Sequence, residues 1–351
     1  MKTPLAAAAV AATLIGALTA QSLHVVPNAW DDADAPAMLS VPGITGSERQ
    51  QVLIDASHLA ALVGRDITGL LFRRDAGDAT ALSLATATLT VRMGTAPHAA
   101  AAATADFAAN APQAVLTYQG TLTAPLSPST EGRPIHWSGA DIIEIVFRTP
   151  YPYAGGNLCI ELDGVATSPG WWPIDATEDP ASGSVVADGT ACGNRAQVLG
   201  QTAFVAAADL VVGRTAICKL FGEPRSNAIL IVGADILPTP TDLALIGAPG
   251  CFLYVAPISA IPSTMSDSLA GTPFGGVANV HLRIPPLPAL LAASFALQWV
   301  ETGVGVFATS NALRCQISSS TPALGMATVW QRPGGGAVVD PTTAPVIGLR
   351  Y

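Results

Sequence analysis

Residues 247–317, GAPGCFLYVAPISAIPSTMSDSLAGTPFGGVANVHLRIPPLPALLAASFALQWVETGVGVFATSNALRCQI, read as short apolar strands divided by glycine and proline. The runs CFLYVAPI, VANVHLRIP, FALQWVE and NALRCQI are each of strand length, with turn chemistry between them. Such runs, recurring about every dozen residues, indicate antiparallel sheets packed as a sandwich. Upstream, TAFVAAADLVV, TAICKLFG and AILIVGADI extend the same pattern. Downstream, ATVWQRPGGGAVVDPTTAPVIGLRY adds two strand-like pieces around the Gly334–Gly336 turn.

The pattern also holds toward the N-terminus. QVLIDASHL, ITGLLFRRD, ALSLATATLTVRMG, AVLTYQGTLTAPL, DIIEIVFRTPY and NLCIELDGV all read as strands, several with apolar residues at alternate positions. PHAAAAATADFAANAP (97–112) has the alanine for a helical turn or two, but proline and asparagine bracket it, so an irregular crossing is expected. ATSPGWWPIDATEDPASGSVVADGTACG (166–193) is rich in turn formers and is the expected join between two units. The expected fold is therefore all-β, with two antiparallel β-sandwich domains of jelly-roll or immunoglobulin-like type. The first spans 21–187 and the second 188–351, after a leader at 1–20.

Composition agrees. Glycine (33) and proline (28) are scattered through 351 residues, which suits many tight turns rather than long helices. Only 12% of residues are charged and the net charge is −9, with no basic cluster. An acidic surface repels phosphate backbones and anionic lipid, so nucleic acid is not an expected partner. MKTPLAAAAVAATLIGALTA (1–20) has one lysine, then a run of small apolar residues too short to span a membrane stably. It reads as a cleaved signal peptide, which predicts a secreted or cell-surface protein with no membrane span in the mature chain.

Export permits disulfides. The five cysteines are Cys159, Cys192, Cys218, Cys251 and Cys315, and an odd number leaves at least one unpaired within the chain. No two lie within a few residues, as zinc-ligand pairs would. Spacing does not decide connectivity. The favoured pair is Cys192 with Cys251, both beside glycine at the edges of strand-like runs; Cys218 with Cys315 follows, leaving Cys159 as the odd thiol.

PGCFLYV (249–255), RIPPLPALLAASFALQWV (283–300) and TSNALR (309–314) resemble a C-terminal module of uncharacterised exported proteins of planctomycete-type bacteria. ITGLLFRRD, VRMGTAP, FAAN (107–110) and GGNLCIEL are similar to the β-rich domain that often precedes it. The shared features are turn glycines, prolines and core apolar residues. The resemblance covers nearly all of the mature chain and implies an exported β-protein, but no activity. Cys159, Cys218 and Cys315 stand where such modules carry plain apolar residues.

Chemistry-bearing motifs are sparse. The histidines, His24, His58, His98, His136 and His281, stand apart from one another, without an HExxH pattern. Asp55, Ser57 and His58 are close in sequence, but alternate strand residues face opposite ways, so they form no triad. Asp141 and Glu144 fall on opposite faces of a strand, whereas Glu161 and Asp163 share one, at a strand end. Trp30, Asp31, Asp32 and Asp34 form an acidic turn that would suit calcium, yet lack the DxDxDG loop and read as solvated. No cofactor is expected.

Trp171 and Trp172 would either plug the seam between domains or, if exposed, offer flat faces to sugar rings. Trp137, Trp299 and Trp330 lie in strand-like contexts and read as core. The expected function is that of a non-catalytic secreted or cell-envelope structural and adhesive protein, contacting itself or other envelope components. The alternative is a carbohydrate-binding module using Trp171 and Trp172, with Asp175 and Glu178 supplying polar contacts to a polysaccharide.

Overall fold

The computed structural model describes residues 22–193, 202–269, 275–303 and 306–351. The expected signal peptide at 1–20 lies outside them. The chain is all-β, and every strand pairing among the described residues is antiparallel. The 97–112 crossing holds a 3-10 turn (Ala100–Ala102) and a single helical turn (Phe107–Asn110), the latter capped by the Asp106 carboxylate on Ala108 N. No helix among the described residues is long and apolar enough to cross a membrane.

Strand alternation builds the first core. In Ala85–Ala96 the residues Ala85, Ala87, Leu89, Val91 and Met93 are buried on one face, with Thr86, Thr88, Thr90 and Arg92 between them. This strand sits in a six-stranded sheet with Val115–Ala124, Asn157–Ser168, Glu48–Ile54, Met326–Gln331 and Val338–Asp340. Its inner face packs on a four-stranded sheet of Leu23–Val26, Ile347–Arg350, Arg65–Arg73 and Ile142–Tyr153, which contributes Ile67, Leu70, Phe72, Ile143 and Ile145. A short sheet of Ala37–Ser40, Pro173–Glu178 and Thr343–Pro345 supplies Ile174 and Ala344 to the same core. The outer face of the large sheet, with Leu53, Cys159 and Val329, is covered by Phe107 and the alanines of the crossing. The crossing thus has a packing role that its loop-like sequence hid.

A second core lies between a five-stranded sheet (Ser184–Asp188, Val306–Gln316, Ser294–Gly303, Asn227–Gly233, Ser259–Thr264) and a four-stranded one (Ala203–Phe204, Thr215–Gly222, Gly275–Arg283, Ser266–Leu269). Trp299 and Leu230 face Cys218 and Leu220 across it.

The tail does not extend this second pair of sheets. Met326–Gln331 pairs along Glu48–Ile54, and Ile347–Arg350 inserts between Leu23–Val26 and Arg65–Arg73. Pairing therefore joins 326–351 to the N-terminal half, unlike the 188–351 grouping read from sequence. The reason is apolar alternation, since Ile347 and Leu349 complete the first core. The two halves meet through Arg214, which pairs with Asp209 (3.2 Å) and with Asp340 of the returning tail (3.0 Å).

Cys192 and Cys251 form a disulfide, as the sequence reading favoured. Cys218 and Cys315 do not: both are buried free thiols, as is Cys159. Cys218 and Cys315 stand on the two facing sheets of the second core. Facing sheets stand about 10 Å apart, whereas a disulfide needs Cα atoms within roughly 7 Å.

Candidate functional site

Two features have a chemistry or an exposure that folding alone does not require. The first is a hairpin on the outer face of the five-stranded sheet, formed by Ile236–Asp242 and Phe252–Val255. Tyr254 and Val255 pack on Ala296 and Ala312 of that sheet. Buried Gln298 fixes the hairpin by accepting from Tyr254 N (2.8 Å) and donating to Phe252 O (2.9 Å). Gly189, with φ +66°, lies under the Tyr254 ring, where a Cβ would come within 2.3 Å of it. The disulfide pins Cys251, at the neck of the hairpin, to Cys192. Cys192 in turn hydrogen-bonds to Thr309 O of Val306–Gln316 (2.9 Å).

Between the two strands the chain makes a built turn. The Asp242 carboxylate accepts from Ala244 N at 2.9 Å, Leu243–Ile246 forms a 3-10 turn, and Gly247 closes it at φ 85°. Leu243 N also donates to Cys251 O across the neck (3.0 Å). At the tip of this ordered turn Leu245 is 97% exposed and Ile246 66% exposed.

The second feature is at the end of Arg65–Arg73. Arg73 and the next residue, Arg74, are both buried. The Arg74 guanidinium donates to Ser127 Oγ (2.8 Å) and to the carbonyls of Pro128 (2.6 Å), Asp78 (2.7 Å) and Thr80. Those contacts organise the 75–80 turn. Arg73 bonds Asp175 Oδ2 through Nε (2.7 Å) and the carbonyls of Trp30 (3.0 Å), Asp31 (2.9 Å) and Ala33, with the Trp137 ring 4.8 Å away. It therefore carries the 30–34 loop and the Pro173–Glu178 strand to one place.

Carboxylate oxygens of Asp34, Asp75 and Asp175 lie there within 4.8 Å of one another. Asp34 Oδ1 accepts from Ala76 N (3.0 Å) and Asp75 Oδ1 from Asp78 N (3.2 Å). Asp175 Oδ1 is buried without a hydrogen-bond partner. Burial pushes the Asp175 carboxyl up to about 8, and neighbouring Asp34 adds to this against the pull of Arg73. Burial also raises Asp75, with Asp34 adding to it. Sequence reading identified Asp34 as part of an acidic turn and Asp175 as a sugar contact; it missed Asp75 and the two arginines. The only signal was RRD ending an apolar strand, a pattern ordinarily read as solvated.

The tryptophan pair is split. Trp172 is fully buried in the first core and donates to Pro125 O (3.0 Å). It fills the interior of one sandwich rather than a seam between the halves. Trp171 is 54% exposed, its Nε1 held by Asp78 Oδ2 (2.6 Å). Asp175 is buried beneath the strand and Glu178 exposed at its end. Trp172 and Asp175 are thus out of reach of a sugar ring, which corrects the expectation that Trp171, Trp172, Asp175 and Glu178 would form one platform. Of the other indoles, Trp299 is buried, while Trp137 and Trp330 are half-buried.

Other polar groups have structural partners. Glu161 is buried between Arg49 (3.0 Å) and Arg92 (3.3 Å) and accepts from Gln51, while Asp163 is exposed. Asp141 is clamped by Arg133 (2.6 Å), and exposed Glu144 pairs with Arg350. His58 Nε2 lies 3.0 Å from Leu324 O, Asp55 Oδ1 accepts from Ala100 N (2.7 Å), and the two residues meet through a backbone bond from His58 N to Asp55 O (3.0 Å).

No family model matches the sequence, and no curated protein or solved structure is significantly similar to it.

Proposed function

We propose that the protein is a non-catalytic structural and adhesive component of the cell surface or extracellular space. It associates with further copies of itself or with envelope material through the tip of the 236–255 hairpin. The observation that carries this reading is the exposure of Leu245 and Ile246 on a turn that is capped, closed by glycine and anchored by a disulfide. A mobile loop can expose apolar residues incidentally. Two adjacent aliphatic side chains held out in water by an ordered turn form a small apolar surface, and covering it on contact removes that area from water. The leader-like N-terminus, the low charge and the resemblance to exported β-proteins support an extracellular setting.

The test is the double variant Leu245→Ser/Ile246→Ser. It is expected to keep the Tm of the native protein, since neither side chain is buried. Concentration-dependent sedimentation and adsorption to isolated envelope material should both fall. Equal association by the variant would remove the tip from the account.

A second reading, polysaccharide binding, is favoured by one observation, the exposed and oriented indole of Trp171. One flat ring supports stacking on one sugar unit. Tryptophan fluorescence during titration with soluble polysaccharides, beside a Trp171→Ala variant, tests it. A saturable change lost in the variant supports the reading, and no change in the native protein excludes it for those sugars.

A further inference from the structure

We infer that Asp34, Asp75 and Asp175 form a calcium site that locks the 30–34 loop and the 75–80 turn onto the Pro173–Glu178 strand. Each of the three carboxylates already has one oxygen committed. Oδ1 of Asp34 and Oδ1 of Asp75 accept backbone N–H groups of the 75–80 turn, and Oδ2 of Asp175 is bound by Arg73. These bonds fix the three carboxylates from behind, as outer partners fix metal ligands.

The independent observation is Asp175 Oδ1. A carboxylate oxygen sealed from water with no donor is among the costliest groups a fold can hold, and native proteins rarely leave one unsatisfied. No described N–H reaches it, and the carboxyl that Asp175 meets as a hydrogen-bonding neighbour is another acid, Asp34. The Asp175 carboxylate has an oxygen within 4.8 Å of oxygens of Asp34 and Asp75. Only a proton or a cation reconciles three such groups. Oxygens no more than 4.8 Å apart can share one ion at the calcium–oxygen distance of about 2.3–2.6 Å.

Ligand type narrows the cation. An all-oxygen, carboxylate set selects hard ions over zinc or copper. Magnesium requires a near-octahedral shell and keeps several waters, for which two buried carboxylates leave little room, whereas calcium accepts irregular shells. Asp34, the exposed member, provides the entry side. Three carboxylates with water completing the shell place the affinity with extracellular calcium modules, at a Kd of about 0.1–1 mM.

The experiment uses the full-length mature protein stripped with EDTA, titrated with calcium chloride by calorimetry and by thermal unfolding, with magnesium chloride as a parallel arm. A saturable heat and a calcium-dependent rise in Tm are expected, with at least about tenfold weaker binding of magnesium. Asp34→Asn keeps an acceptor for Ala76 N and so should fold, yet its calcium response should weaken by about tenfold or more. Asp75→Asn provides a second variant with the same expectation. Absence of any calcium response in the native protein up to about 10 mM, well above the expected Kd, would overturn the site. So would an equal response to magnesium, or undiminished binding by folded Asp34→Asn.

Discussion

Cys192 and Cys251 are joined with their Cα atoms 5.2 Å apart, tying the neck of an apolar-tipped hairpin to the loop that follows Ser184–Asp188. The bond closes a loop over a sequence separation of 59 residues. Cys192→Ser/Cys251→Ser should therefore lower unfolding free energy by about 2–4 kcal/mol, measured by denaturant titration. Backbone amides of the hairpin should lose hydrogen-exchange protection, while those of the first core keep theirs.

The remaining thiols should be silent in the native state. Cys159, Cys218 and Cys315 are buried, and burial pushes Cys218 and Cys315 up to about 12 and Cys159 higher still. With thiolate scarce and access closed, iodoacetamide should modify none of them in the folded protein and all three after denaturation without reductant. Intact mass spectrometry would show this directly. Rapid native labelling of Cys218 or Cys315 would contradict their placement in the second core.

The adjacent tryptophans should behave oppositely. Trp172→Ala opens a large cavity in the first core and strands Pro125 O, for a loss of about 3–5 kcal/mol. Trp171→Ala removes an exposed ring and should stay within about 0.5 kcal/mol of the native protein. Thermal and denaturant unfolding of the two variants side by side measures the difference.

Acid should act through Asp141. The Arg133 guanidinium, hydrogen-bonded to both of its oxygens, holds the Asp141 carboxyl below the usual carboxylate range. A carboxyl with a depressed folded pKa binds fewer protons folded than unfolded just below its ordinary value of about 3.9. Its stabilising contribution is thus complete above that value and is lost as pH falls through the depressed one. Asp141→Asn should lower stability at neutral pH and flatten the decline below about pH 4. Unfolding midpoints at pH 3 to 7 would test this, and an unchanged slope would remove Asp141 as a contributor.

Element type was legible in the sequence because it rests on local pattern. Alternation in ALSLATATLTVRMG names both the strand and its buried face, and Pro97 marks where it stops. Topology was less legible. Nothing local in VIGLRY distinguishes pairing with its nearest neighbours from a return to Leu23–Val26 and Arg65–Arg73, since sheet pairing is a long-range choice. The Cys192–Cys251 pair could be favoured from its glycine-flanked edges, but Cys218 and Cys315 look no different until their facing sheets are known.

The acidic cluster was half visible. Asp34 stood out among Asp31 and Asp32, but its partners lie 41 and 141 positions away and are gathered by the buried Arg73 and Arg74. Burial of an arginine depends on carbonyls that only the fold brings together, and no spacing rule announces it. The apolar tip was hidden for the reverse reason. TDLALIGAPGC reads as an ordinary apolar run with a turn, and only the fold turns Leu245 and Ile246 outward.

Association through the hairpin tip is read out by sedimentation velocity of the protein and of Leu245→Ser/Ile246→Ser over a wide concentration range, together with adsorption of each to isolated envelope material. The account predicts concentration-dependent association or saturable adsorption of the native protein, and a variant of unchanged Tm that loses it. A native protein that stays monomeric and unadsorbed, or a variant that associates equally well, would contradict it.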